Sequence, residues 1–457
     1  MVGASNRPSQ AWPLIRASWH FLLRDKKLLV FPALSGICCV LLVWANYPQL
    51  FSRSTGGHPS SEIGAGPGCP VVSHRKDFSR MTRRDALLRI SGLITAVFFG
   101  SLLALRGSAS IEAPAASAPA WNAAAAAGYL DKRQAWWMGW QPAQREGGTA
   151  CVSCHTALSY ALSRPALRRA LGESAPSPVE RAMLDSITQR VSHWTEFQPF
   201  YTDAKDGAPK SAESRGTEAV LNALILANYD SERGKLSDTT RAAFAVAWSL
   251  QLKSGEKKGA WDWLNFHNAP WEANGSDYWG ATLAAVAIGM APGNYISEPA
   301  IQDNLKLLRE YLKGSYQAQS IFNRTVLLWA SARFPGLLTA EQQTALIGVL
   351  YDLQQGDGGW SLASMGTWTR RDGTQVEARS DGYATGLGVF ALERAGIPSA
   401  QPQIKRGLEW LAQNQDRTEG LWRAYSLNKQ RDLSTDIGRF MSDAATAYAV
   451  MALAQAH

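Results

Sequence analysis

The chain has 457 residues, 46% apolar and 18% charged, with 18 Trp, a globular composition ample for a core, in two or three domains or one large repeat-built domain. Its net charge of +8 belongs to the start: residues 1–80 carry 9 Lys and Arg against 3 Asp and Glu, and the remainder 37 against 35. Nothing in the body of the chain therefore argues for a nucleic-acid partner.

The opening carries Ser18-Trp19, Asp25-Lys26 and Phe31-Pro32, the last within an apolar run from Leu28 to Ala45. This pattern resembles the first span of a little-characterised family of bacterial multi-pass membrane proteins, of which only the opening is present. Ser52 to Gly68, rich in Ser, Gly and Pro, reads as a linker. A second start lies at Met81: Arg83 and Arg84, an apolar run from Ile90 to Leu105, then small residues, the layout of an export signal or anchor over 81–110. If both apolar runs crossed one membrane, the basic loop between them would lie outside, which the positive-inside rule disfavours. Residues 1–80 are therefore read as an extension ahead of the working start, and membrane association is expected through the N-terminus. Residues 111–128 form an Ala/Pro-rich linker, and the folded body is expected to begin near Tyr129 and run to residue 457.

Cys151-Val152-Ser153-Cys154-His155 brings together three side chains competent to hold a metal or haem. Two thiols three apart followed by a histidine form the attachment signature of c-type haem. On one helical turn, residues i and i+3 share a face, so both sulfurs can form thioethers with one porphyrin while the imidazole reaches the iron. Zinc would need a second Cys or His pair, and Cys38, Cys39 and Cys69 are far upstream. A thioredoxin-type pair would follow a strand, whereas Thr156 onward reads as helix with no strand before it. A bare dithiol or disulfide is the remaining rival.

The body repeats. Ser276-Asp277, Ser380-Asp381 and Ser442-Asp443 each open an Ala-rich helix, Ser214 opens an earlier one, and Ser153 falls 61 residues before Ser214. The separations of 62, 104 and 62 place a degenerate copy near Asn323-Arg324-Thr325. A Trp precedes the slot each time: Trp194, Trp360 and Trp422 by 20 residues, Trp261 by 15. Gln354, Gly358 and Trp360, then Gln415, Gly420 and Trp422, with Gln251, Gly259 and Trp261 as a stretched copy, resemble the QW repeats of squalene-hopene and oxidosqualene cyclases. Glycine permits the turn, glutamine can satisfy free N–H groups at a helix start, and tryptophan seals neighbouring hairpins. The resemblance implies an all-α fold, an α/α toroid of helical hairpins whose inner helices line a central cavity. It does not extend to the chemistry, since the D-x-D-D acid motif is missing and Asp203-Ala-Lys-Asp206 fails to supply it. The recurrence of Asp277, Asp381 and Asp443 favours helix capping over rim carboxylates.

These readings combine into an exported haem c protein on a cyclase-like toroid, periplasmic or otherwise extracytoplasmic, working by electron transfer or haem redox chemistry with an unnamed redox partner. Whether it is an enzyme is left open, with an oxidoreductase the class implied. The alternative is an isoprenoid-processing or isoprenoid-binding toroid, with a small apolar ligand in the cavity. In the haem reading Cys151 and Cys154 are the thioether anchors and His155 the proximal ligand. His267 is nominated for the sixth position, with His193 and Met365 behind it, and the haem is expected at the cavity mouth.

Overall fold

The computed structural model describes residues 121–455, and the expectations for 1–80, for 81–110 and for the linker ahead of Trp121 lie outside them. The described body is all-α. Its helices are α1 (Ala123–Gly139), α2 (Ala157–Ala170), α3 (Pro178–Ser192), the single turn α4 (Asp203–Asp206), α5 (Lys210–Arg233), α6 (Asp238–Leu250) and α7 (Ser276–Met290). There follow α8 (Gln302–Gly314), α9 (Ile321–Ser331), α10 (Ala340–Leu353), α11 (Gly382–Arg394), α12 (Pro402–Asn414) and α13 (Phe440–Gln455). The body begins at Ala123 rather than near Tyr129: an alanine run is the best helix former, and the Asn122 side chain caps it by accepting from Ala125 N at 2.9 Å.

Local signals set most outer helix starts. Ser177 and Thr339 form capping boxes with Glu180 and Gln342, Ser237 caps α6, and Pro402 opens α12. The helices then alternate in role. Helices α2, α5, α7, α9, α11 and α13 each pack on the next, and α13 packs back on α2, closing an inner ring. Helices α1, α3, α6, α8, α10 and α12 lie outside it, each ahead of an inner helix in the chain and, from α6 on, packed chiefly on the inner helix before it. This is the α/α toroid, with α9 filling the place of the degenerate copy.

Inner and outer helices differ in sequence as their positions demand. Helices α7 and α13 are buried on almost every face, so their Ala-rich runs show little sidedness. Helices α8 and α12 are amphipathic and bury one stripe, Leu305, Leu308 and Leu312 in α8, and Ile404 and Leu411 in α12.

The Gln-Gly-Trp turns join one hairpin to the next. Trp261, Trp360 and Trp422 are fully buried, and their indole N–H groups donate to Ala247 O, Leu350 O and Leu411 O at 2.6, 2.7 and 2.8 Å near the end of the preceding outer helix. Each glutamine amide donates to its own turn and to the start of the next outer helix, Gln251 to Asn304 O, Gln354 to Gln403 O and Gln415 to Asn122 O. The expected role of glutamine is thereby corrected: it chiefly donates to carbonyls, and only Gln415, accepting from Asn122 N at 2.7 Å, takes a free N–H. Since Asn122 precedes α1, this last turn ties the end of the toroid to its beginning.

The expectation of one open central cavity is also corrected. Aromatic side chains fill the space between the inner helices: Tyr383 stacks on Tyr448 at 5.2 Å, Trp329 meets Phe390 at 5.2 Å, and Trp271 donates to the Tyr383 hydroxyl at 2.9 Å. Separate cavities remain at the two ends of the ring.

Candidate functional site at the rim of the toroid

The segments leading into the inner helices α2, α7 and α13 surround a cavity of about 220 Å³, and Cys151, Cys154 and His155 all line it. Cys151 lies in an irregular stretch ahead of α2, its N–H donating to Ala143 O at 2.8 Å and its carbonyl accepting from the Trp137 indole at 2.7 Å. Helix α2 begins only at Ala157, with Ser153 Oγ accepting from Thr156 N and Ala157 N at 3.1 and 2.9 Å. The two cysteines are thus not on one helical turn, as i, i+3 spacing alone would have it. They meet at the cavity because indole and serine bonds fold the approach to the helix.

Both cysteines are free and buried. Burial pushes the Cys151 thiol up to about 12 and Cys154 well above its ordinary value, so both carry their protons. Burial, with Arg133 and Arg431 adding to it, drives the His155 imidazole down to about 3, leaving it neutral. Its ring stacks on Phe440 at 3.8 Å and meets Trp137 edge-on at 5.0 Å.

Hydrogen bonds fix the tautomer. Asp443 accepts from Tyr129 Oη, from Arg133 Nε and, at 2.7 Å, from Thr156 Oγ1. The single proton of Thr156 is committed to that carboxylate, so its oxygen must accept the proton on His155 Nδ1 at 2.8 Å. Nε2 therefore carries the free lone pair, an arrangement that orients and strengthens an imidazole ligand. Capping does not describe Asp443, which is buried among these donors, or Asp277, which takes the Tyr311 hydroxyl at 2.5 Å. It holds at Asp381, which accepts from Tyr383 N and Ala384 N.

The nominated sixth ligands lie elsewhere. His267 is exposed, in a left-handed conformation (φ 57°) held by its N–H to Asn265 Oδ1, which keeps it outside the cavity lining. His193 is exposed at the end of α3, bonded to Glu196, and Met365 is buried in a short turn after Trp360. Glu272, whose carboxyl is pushed up to about 7 by burial and lies in hydrogen-bond reach of the Cys154 thiol, also lines the cavity, together with Arg431 and Met441. Nothing in the local sequence set these three apart. Thr156 and Asp443 did sit at repeat positions, but their joining to Arg133 depends on the closure of the ring.

Comparisons with known proteins add little to this geometry. No family model matches the chain, and no curated protein does. Among solved structures it is similar to a wild-type glycosidase, at 15% identity and a TM-score of 0.43 over 72% of this chain and 96% of that one. It is also similar to a glycosidase variant in complex with glucose, at 13% identity and a TM-score of 0.44 over 73% and 97%. These neighbours are named as glycosidases, and on that finding the expectations of an electron-transfer or haem redox protein and of an isoprenoid toroid are corrected and not carried further. The expectation of a metal-binding protein is corrected to this extent: among the described residues no three or more His, Cys, Asp and Glu side chains gather to hold a metal ion; no helix there is long and apolar enough to cross a membrane, and the membrane segments expected over 1–110 lie outside those residues.

Proposed function

We propose that the rim cavity is an attachment site for one covalent haem c, with Cys151 and Cys154 as its thioether anchors and His155 as its axial nitrogen. The role proposed is attachment, on a toroid whose Gln-Gly-Trp turns resemble those of cyclases in architecture alone. What carries the reading is the joint placement of two protonated thiols and one neutral imidazole, with Nδ1 committed to Thr156, on the wall of a single cavity.

The donor set fits the group. Each thiol can add across a vinyl C=C, the sulfur bonding one carbon and the thiol hydrogen passing to the other, with no oxidant required. Bound iron would supply an acceptor for the Nε2 lone pair. Trp137, Trp140 and Phe440 offer aromatic faces, the exposed Ile437 an apolar one, and Arg431 a positive charge suited to carboxylate substituents. At about 220 Å³ the cavity falls below the roughly 300–1,000 Å³ usual for enclosed ligands, so it suits the edge of a large planar group. Such attachment accords with an extracytoplasmic location.

The test is the absorption spectrum of the full chain made alongside haem-attachment machinery. A Soret band that survives acidic solvent extraction is expected, weakened in Cys151→Ala and absent when both cysteines are alanine. A colourless wild-type protein, or a band unchanged in the double variant, would contradict the reading.

A further inference from the structure

The opposite end of the inner ring holds a second cavity, of about 270 Å³, where the C-terminal ends of the inner helices converge. Arg169, Arg333 and Arg394 reach it from the ends of α2, α9 and α11, and among the described residues Glu232 is the only carboxylate on its wall. Arg169 pairs with Glu232. Among the described residues neither Arg333 nor Arg394 is in an ion pair, so the exposed Arg333 and the half-buried Arg394 both present guanidinium groups to the cavity.

Arginine in a last turn can simply complement the helix dipole, but Arg394 does not behave as a cap. Its Nε is buried without a hydrogen-bond partner, and its guanidinium lies over the Phe390 ring at 5.0 Å. Neighbouring Glu393 bonds Ser399 and makes no hydrogen bond to Arg394, though its charge acts on the guanidinium from nearby. Burial and the repulsion of Arg333 weaken the hold of Arg394 on its proton, a cost that an anion between the two would remove. Trp329, Phe390 and Met451 give the wall an apolar stretch beside the polar Asn228, Ser231 and Gln455.

We propose that this cavity binds a small amphipathic carboxylate, its head between Arg333 and Arg394 and its hydrocarbon body against Trp329, Phe390 and Met451. Planar guanidinium groups match a carboxylate in paired N–H···O bonds, and the volume leaves room for a short chain. The site stands apart from the cysteine cavity and does not depend on it.

Isothermal titration of the full chain with octanoate, acetate, 1-octanol and inorganic phosphate tests both halves of the site. Octanoate is expected to bind saturably, the other three at least tenfold more weakly, and Arg394→Gln to reduce octanoate affinity tenfold or more. No saturable octanoate binding, equal binding of octanol or phosphate, or an unchanged affinity in Arg394→Gln would overturn the proposal. Should Arg394→Gln lose its helical circular dichroism, the exposed Arg333→Gln carries the same expectation and the same refutation.

Discussion

Asp443 shows most clearly how a single residue can be misjudged from its neighbours in sequence. Ser442-Asp443 looks like the capping pair Ser380-Asp381, and at Asp381 the resemblance holds. At Asp443 the carboxylate instead meets Arg133, from the far end of the body, at 2.8 Å, with both side chains almost fully buried. Removing Asp443 leaves Arg133 buried with only the exposed Asp436, at 2.7 Å, as its charge partner, so Asp443→Ala is expected to lose about 3 kcal/mol. Urea unfolding measures this, and replacing both partners by apolar residues should recover much of the loss. A single variant as stable as the wild type would show that the pair contributes nothing.

His155 adds a pH dependence of known sign. An unfolded histidine takes up a proton near 6.5, whereas His155 stays neutral down to about 3. Unfolding therefore binds a proton between these values. The stability His155 contributes is present above pH 6.5 and is lost as the pH falls towards 3, with a slope of at most about 1.4 kcal/mol per pH unit. Glu272 titrates nearby with the opposite sign, its raised carboxyl favouring the fold most at low pH. The comparison is therefore between wild type and His155→Phe, both made without haem-attachment machinery, in urea at pH 4 to 7. The variant should show the flatter acid limb, and equal slopes would contradict the assignment.

At the scale of elements, the turn between hairpins was the most legible part of the chain. The Gln, Gly and Trp spacing pointed to both the turn and its sealing role, because one short segment carries all the chemistry. What spacing could not convey is how near the next hairpin comes. A Cβ on Gly420, where φ is 82°, would stand 2.1 Å from Ala125 O in α1, and one on Gly259, where φ is 99°, would stand 2.2 Å from Leu307 O in α8. Backbone strain and overpacking each cost about 1–3 kcal/mol. Gly420→Ala is expected to lower stability by about 2–4 kcal/mol on that basis, whereas Gly396→Ala, which meets nothing within 4 Å, should lose only the part due to its positive φ. Thermal unfolding of the two variants separates close approach from conformation, and equal losses would contradict the account. The cysteine segment was less legible. Its i, i+3 spacing suggested a helical turn, but the helix starts beyond it, and the Trp137 indole and the Ser153 hydroxyl determine where the two sulfurs go.

At the scale of the whole molecule, the repeat revealed the ring, and α9 shows that even the degenerate copy was correctly inferred. The axis was not legible. Inward residues such as Tyr383, Tyr448 and Trp329 look like any buried aromatic, and nothing local says that they meet across the ring and divide it into two mouths. For the same reason the lining of the cavity was not legible: His267 lies in a turn on the expected side but is exposed and outside the lining, while Glu272 and Arg431 reach the cavity from separate loops and Met441 from the start of α13. The central claim is that Cys151, Cys154 and His155 make one attachment site. Its most direct test is the intact mass of the full chain, produced with haem-attachment machinery and measured under denaturing conditions. The account predicts a mass greater than the polypeptide by one haem, and a bare polypeptide mass when both cysteines are alanine. A wild-type mass equal to the bare polypeptide, or an added haem that persists in the double variant, would contradict it.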